Sequence, residues 1–237
     1  GREIAGIILD NWNQGRKKAV WLSISQKLFE DAKRDWAGIG QDPGKIINLS
    51  KVKSGESKAV GATEGIMFST YGTLNGKPAK GLSRIEQILE WVGPDFDGVI
   101  AFDEAHKMAN ALDTQGARGK KEASQTALLG LELQRQLPNA RVVYVSATGA
   151  TEVSNLAYTP RLGLWGRGTA FPNVVTFVNQ IASGGVAAME MVAQGMKATG
   201  RYLARALSFN DGTPEGTVRY ERLEHALTPS QHGMYDK

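Results

Sequence analysis

The stretch GVIAFDEAHKM, Gly98 to Met108, decides how the chain reads. Val99 to Phe102 can all be buried, and they run straight into Asp103-Glu104-Ala105-His106. A short apolar run without alternation fits a strand covered on both faces of a sheet. Two adjacent carboxylates at the end of such a strand repel each other and need a cation or solvent to coexist. One reading is a magnesium site, with Asp103 holding the ion through water and Glu104 orienting or deprotonating an attacking water. The other is a solvated helix N-terminus, where acidic side chains are welcome anyway. The four letters alone do not choose, so the choice falls to their neighbours.

The same sequence of buried strand and polar turn recurs along the chain. Ala19 to Ile24 (AVWLSI), Ile66 to Ser69 (IMFS) and Arg141 to Val145 (RVVYV) read as strands, with a shorter one at Ile46 to Leu49. Helices are predicted between them. The first carries Ile4, Ile7, Ile8 and Trp12 on one stripe and closes at Gly15. Ser25 to Trp36, Ser83 to Val92 and Ser124 to Leu137 follow, the last stopped by Pro138. Lys51 to Glu64 and Asn110 to Lys121 are polar, contain glycine and read as loops. Strands alternating with helices predict an α/β fold, a mostly parallel sheet with helices on both faces. Ligands gather at the carboxyl ends of such strands. The turns Ser23–Ser25, Ser69–Thr73, Asp103–His106 and Ser146–Gly149 all fall there.

The texture changes after residue 150. Leu162 to Pro172 (LGLWGRGTAFP) reads as a loop and Gly185 to Phe209 as one or two helices. Asn210 to Gly216 is a turn-rich break, and Val218 to Leu227 alternates loosely enough for a strand.

Composition narrows the function classes. The 237 residues, 41% hydrophobic and 22% charged, suit one large globular domain or a domain with an appendage. No apolar run reaches the roughly 18–20 residues that span a bilayer, and no export signal is present, so an intracellular protein without a membrane partner is expected. The chain has no cysteine, which excludes disulfides, thiolate zinc sites and thiol catalysis. The three histidines, His106, His225 and His232, lack metal-ligand spacing. The net charge of +4 is unevenly placed, in clusters at Arg16–Lys18, Lys51–Lys58 and Arg118–Lys121. Each alone reads as solvated surface, and several on one face would track phosphates. Trp12, Trp36 and Trp91 lie on apolar helix faces and read as core. A first residue one step before a core helix suggests a piece of a longer chain.

Ser146-Ala147-Thr148 follows the next strand after the acidic motif, as a Ser-Ala-Thr element does in superfamily-two helicases. That resemblance implies a coupling role for His106, Ser146 and Thr148. VWLSIS (Val20–Ser25) and MFSTYGTL (Met67–Leu74) resemble motifs Ia and Ib of the same superfamily. They imply that Ser23, Ser25, Ser69 and Thr70 hold the phosphates of a nucleic-acid strand. More narrowly, GREIAGIILDNW, RKKAVWLSIS, SQTALLGLELQRQLPNARVVYVSATGATE, NLAYTPRLGLWGRGTAF and GGVAAMEMVAQGMKATGRYLARALSF together resemble the Strawberry notch family of helicase-like proteins. RYLARALSF followed by LTPSQHGMYDK is similar to the bridge between the lobes of Swi/Snf-type translocases.

The resemblance implies a first RecA-like P-loop NTPase lobe at 1–150, lacking its phosphate loop. A mainly helical, family-specific extension would follow at 151–210, and a bridge toward a second lobe at 211–237. Family members carry a glycine-rich loop ending in Gly-Lys just before a Gly-Arg pair, so Gly1 and Arg2 would be the remnant of that loop. Gly1 would then stand where a Ser or Thr usually binds magnesium. The implied cofactors of the intact protein are ATP and Mg2+, with Glu104 catalytic and Asp103 on the metal, and neither ligand held tightly by this stretch alone. The implied partners are nucleic acid, DNA before RNA, and the second lobe. The compartment would be the cytoplasm for a bacterial or phage protein and the nucleus for a eukaryotic one. The alternative is a non-catalytic scaffold for transcription or chromatin regulation built on the same fold.

Overall fold

The computed structural model describes residues 1–76, 78, 80–116, 119–147 and 152–204. Thr148, Arg205, His225, His232, the strand expected at 218–227 and the bridge at 211–237 lie outside the described residues. The chain opens with α1 (Arg2–Asn13), which ends just before Gly15 at φ +89 and leads into β1 (Lys18–Ser23). Then come α2 (Leu28–Ala37), β2 (Ile46–Asn48), β3 (Gly65–Thr70), the single turn α3 (Tyr71–Leu74), α4 (Arg84–Val92) and β4 (Val99–Asp103). A small pair, β5 (Thr114–Gly116) and β6 (Gly119–Lys121), precedes α5 (Gln125–Gln136) and β7 (Arg141–Val145). Beyond these lie α6 (Val174–Ser183) and α7 (Gly185–Ala198).

The main sheet runs β2-β3-β1-β4-β7, with every neighbouring pair parallel. Alternation along the strands builds its two layers. Ala19, Trp21, Ile66, Phe68, Val99 and Ala101 face one side and pack with Ile4, Ile8 and Trp12 of α1 and Ala32 and Trp36 of α2. Val20, Leu22, Met67, Ile100 and Phe102 face the other, under Ile85, Ile88 and Trp91 of α4 and Ala127 and Leu133 of α5. Strands covered on both faces leave no position for a polar side chain, hence their unbroken apolar sequence. The α/β architecture expected from the sequence is the one observed.

Local chemistry sets the helix ends. Ser83 and Glu86 form a reciprocal capping box on α4, and Ser124 accepts the amide of Ala127 on α5. One segment departs from expectation. The polar stretch 110–121, read as a loop, contains the antiparallel pair β5–β6, with Thr114 opposite Lys121. A two-residue connection lets a polar hairpin close by backbone bonding alone, without the apolar alternation that marks most strands. Within 151–210, expected to be mainly helical but given no helix bounds before residue 185, α6 forms at Val174–Ser183, capped by Asn173 through the amide of Thr176 at 2.9 Å.

Residues 153–204 are fastened to the lobe at defined points. The guanidinium of Arg161 donates to the carbonyls of Gln134, Leu137 and Pro138 at 2.6–2.8 Å, capping the C-terminal end of α5. The Tyr158 ring meets Tyr144 edge-on at 5.6 Å, and the buried amide of Gln134 donates to Tyr158 O at 3.2 Å. Farther out, Phe177 gathers Trp165 and Phe171 into a separate small core with Val153 and Ile181. Arg201 donates to Leu162 O at 3.0 Å, tying the end of α7 to the loop at 162–172. No helix among the described residues is long and apolar enough to cross a membrane.

Gly98 marks the entry to β4, where the chain squeezes between neighbours. A methyl group there would collide with the carbonyl oxygen of Lys18 and come within 2.6 Å of the Phe96 ring. Gly98→Ala is therefore expected to lower stability by about 1–3 kcal/mol, because a packed site must shift to admit it. A urea midpoint that falls at constant slope would bear this out. An unchanged midpoint would mean that the strand entry yields freely.

Candidate active site

Parallel pairing brings the carboxyl ends of β1, β3, β4 and β7 to one rim. Ser23 pairs with Thr70, Leu22 with Phe102 and Asp103 with Val145, so Thr70, Ser23, Asp103 and Val145 form a row across the sheet. By alternation, all four turn toward the layer of α1 and α2. Ser23 is fully buried (0% exposed), and its Oγ donates to Asp103 Oδ2 at 2.9 Å. A buried hydroxyl must find an acceptor, and a carboxylate is the strongest within reach. That bond occupies one oxygen of Asp103 and aims the side chain along the rim.

Glu104 takes the left-handed backbone conformation, φ 51 and ψ 45. This costs a non-glycine residue about 1–2 kcal/mol, and such strain gathers at functional turns. Its Oε2 stands 3.2 Å from His106 Nδ1, and the same nitrogen lies 3.0 Å from Ser146 Oγ. With a hydrogen on Nδ1 the ring donates to the carboxylate; without one it accepts from the serine hydroxyl. Glu104, His106 and Ser146 thus meet at one ring nitrogen across the β4–β7 boundary.

Sequence reasoning assigned no part to Tyr71. Its ring is buried (5% exposed) in the layer of α4 and α5, and its hydroxyl donates to Asp103 O at 2.9 Å. Burial, and then the nearby Asp103 carboxylate, push this phenol far above its ordinary value, so it stays a donor at neutral pH. The aromatic immediately after Ser69-Thr70 was the available signal, but a tyrosine beside an apolar strand reads first as core.

A second network ties the ends of β1, β2 and β3. Thr70 Oγ1 accepts the amide of Thr73 at 3.0 Å, and the two hydroxyls lie 2.9 Å apart. Gln26 reaches Thr73 Oγ1 at 3.4 Å and accepts from Asn48 at 3.1 Å. Gln26 is exposed, while Ser25, Asn48 and Thr73 are half-buried. The expectation that Ser23 and Ser69 contact phosphate is corrected here. Both are fully buried, one bonded to Asp103 and the other to Thr70 O at 3.3 Å. Thr70 is nearly as enclosed and serves as the cap of α3. Ser25 keeps exposed surface, and Gln26, Asn48 and Thr73 were the rim groups missed.

Gly1 and Arg2 lie beside α2, with the Arg2 Nε 3.9 Å from the Asp35 carboxylate. The body of α1 nevertheless covers Val99 and Ala101, on the strand face toward which Asp103 turns. No group of three or more His, Asp or Glu side chains placed to hold a metal ion by themselves is found among the described residues. The donors present suit Mg2+, which keeps most of its water and takes one or two carboxylates with phosphate oxygens. A shallow concavity of about 430 Å3 lies at the other end of the strands, between Gly15–Lys18 and Val92–Gly98, away from all of these groups.

Against this geometry the likenesses to known proteins can be weighed. A family described as P-loop containing NTP hydrolase pore-1 matches residues 1–237. The chain belongs to that family. It is 47% identical to Protein strawberry notch homolog 1 of Gallus gallus over 243 residues, covering 100% of this chain and 19% of the relative. It is 47% identical to Protein strawberry notch of Drosophila melanogaster over 244 residues, 100% of this chain and 14% of the relative. Protein FORGETTER 1 of Arabidopsis thaliana is 40% identical over 239 residues, 100% of this chain and 18% of the relative. The chain thus spans less than a fifth of the length of these relatives. The Strawberry notch resemblance and the P-loop NTPase fold drawn from the sequence both hold.

In this NTP hydrolase domain the strain at Glu104 is testable. Asparagine tolerates the left-handed region and removes a charge beside Asp103. Glu104→Asn is expected to stabilise the fold by about 0.5–1 kcal/mol, the usual sign when a strained residue is relaxed. Chemical denaturation of the two proteins side by side measures this. A loss of stability would mean that the Glu104–His106 contact outweighs the strain.

Proposed function

We propose that this chain is part of the first ATPase lobe of a nucleic-acid translocase, with duplex DNA as its track and ATP with Mg2+ as its cofactors. The observation that carries the reading is an acid pair restrained from two sides: Asp103 by buried Ser23, Glu104 by His106 with Ser146 beside it. A solvated helix N-terminus would need neither restraint. Asp103, with one carboxylate oxygen not taken by Ser23, would help hold the magnesium, and Glu104 would orient an attacking water. Bound Mg2+ would neutralise charge on the phosphates. The chain's own task is to hold Asp103 still and to keep Glu104 at a fixed angle to it.

His106 Nδ1 faces both the Glu104 carboxylate and, from the β7 side, the Ser146 hydroxyl, so a shift of the turn after β7 changes how the carboxylate is held. This is the coupling role assigned to the pair, with Thr148 beside them in sequence. The edge of β7 also supports an incomplete sheet. Its residues 142–145 are only half-buried, whereas β1, β3 and β4 are almost wholly enclosed. A further parallel strand on that edge, leading through a glycine-rich phosphate loop to Gly1, would complete the nucleotide site. On the opposite flank, Ser25, Gln26, Asn48 and Thr73 offer hydroxyl and amide groups to a phosphate backbone, with Lys27 and Lys51 nearby in the chain. The intact protein is expected to work in the nucleus or the cytoplasm according to its source.

The test uses the full-length protein. Glu104→Gln should lower DNA-stimulated ATP turnover about 10²–10⁴-fold while ATP still binds, the loss expected when a positioned general base is removed. Residues 1–237 alone should give no saturable ATP binding by calorimetry, because loop amides and a lysine supply most phosphate contacts. Full DNA-dependent turnover in Glu104→Gln would sink the motor reading. A full-length protein with no turnover on any nucleic acid would favour the scaffold instead.

A further inference from the structure

We infer that Tyr71 is the positioning residue through which nucleic acid on the β1–β3 flank reaches the acid pair. The inference rests on the proposed function and adds a route within that same site. Two networks share the rim. The outer one, Asn48–Gln26–Thr73–Thr70, has exposed polar groups and fixes the turn of α3. The inner one holds Asp103 and Glu104. Besides the β-ladder that sets Thr70 level with Ser23, a side-chain bond joins the α3 turn to the acid pair, from Tyr71 Oη to Asp103 O at 2.9 Å.

That link has a defined lever. Tyr71 is the first residue of α3, one position after Thr70 and two before Thr73, so a change in the turn moves its backbone. Its ring is locked in the core with Phe102, Ala105 and Met108, so the motion is carried rather than lost in rotamer freedom. The acceptor is the carbonyl of the peptide that joins Asp103 to Glu104. Rotating that peptide plane alters the φ of Glu104, which already sits at 51° in a sparsely allowed region. A small displacement at the outer network therefore becomes a change in the direction of the Glu104 carboxylate. Ser23 and His106 hold the side chains of the pair, while Tyr71 holds the backbone between them.

Tyr71→Phe removes one oxygen and leaves the packed ring, so the full-length variant should fold, and its melting temperature checks this. Steady-state ATPase is measured with and without a 40-base-pair duplex, alongside anisotropy of the labelled duplex. The ratio of stimulated to unstimulated turnover should fall about tenfold, the scale of one hydrogen bond felt at the reaction step. The KM for ATP and the Kd for the duplex should each change less than about threefold, since uniform binding is untouched. An undiminished ratio would overturn the inference and leave the motor reading standing. A fall in duplex affinity with the ratio intact would also overturn it, making Tyr71 a mere support of the binding rim. Wild-type turnover indifferent to nucleic acid would instead overturn the proposed function, and this inference with it.

Discussion

A hydroxyl with no access to solvent meets a carboxylate at the end of the central strand pair, and the rest of the site is arranged around that bond. Ser23 and Asp103 are 80 positions apart, yet parallel register makes them level. Slipping either strand by one residue would turn every one of its side chains to the other face, sending Trp21 into the wrong layer or Asp103 away from Ser23. The cores on both faces thus fix the register, and the register fixes the acid. A carboxylate so held is available to a cation without having to be gathered from a mobile loop, which is the gain of placing chemistry on a strand end.

The neighbouring glutamate has the opposite character. Asp103 continues a relaxed strand, while Glu104 turns into a conformation that most residues avoid. Contacts from three directions hold this turn: Tyr71 on the peptide before it, His106 on its carboxylate, and Ala105 and Met108 buried behind it. Met108 in turn packs so closely on Gly130 of α5 that no side chain larger than hydrogen fits there without displacing its sulfur. The strain is therefore balanced by the α5 layer, and α5 is anchored at its far end by Arg161. The segment after residue 152 accordingly contributes to the site indirectly, by keeping rigid the helix against which the acidic turn is packed.

What could be read from the sequence follows from the range of the forces involved. The strands were legible because burial on both faces leaves an unbroken apolar run, as in VIAF and IMFS. Helix starts at Ser83 and Ser124 were legible because a cap acts within three residues of itself. Asp103, Glu104, His106 and Ser146 were legible through resemblance, and the geometry brings them together. Tyr71 was not, because its role depends on a partner 32 positions away that only the packed sheet supplies. Ser23 and Ser69 were misread for the related reason that a polar side chain at a strand end can turn inward or outward, and sequence does not carry that choice. The bounds of the helix at 174–183 were not legible, because Val174, Val175 and Val178 favour strands locally, while packing of Phe177 and Ile181 with the outlying aromatic cluster decides for a helix.

The two edges of the sheet differ among the described residues. At the β2 edge the strand is only three residues long. The segment after it is held on α4 by Gln87, which donates to the carbonyls of Lys53 and Glu56, and by Arg84 on Val52 O. So short an edge offers little backbone for another strand to pair with. β7 is longer, apolar on both faces and half-buried, with Val142 and Tyr144 packed on one core and Val143 and Val145 on the other. Among the described residues no strand pairs with the outer edge of β7, so its amide and carbonyl groups on that side have no ladder partner there. That edge lies beside the turn at which Ser146 and Glu104 share the His106 nitrogen, so anything pairing with it would sit next to the acid pair.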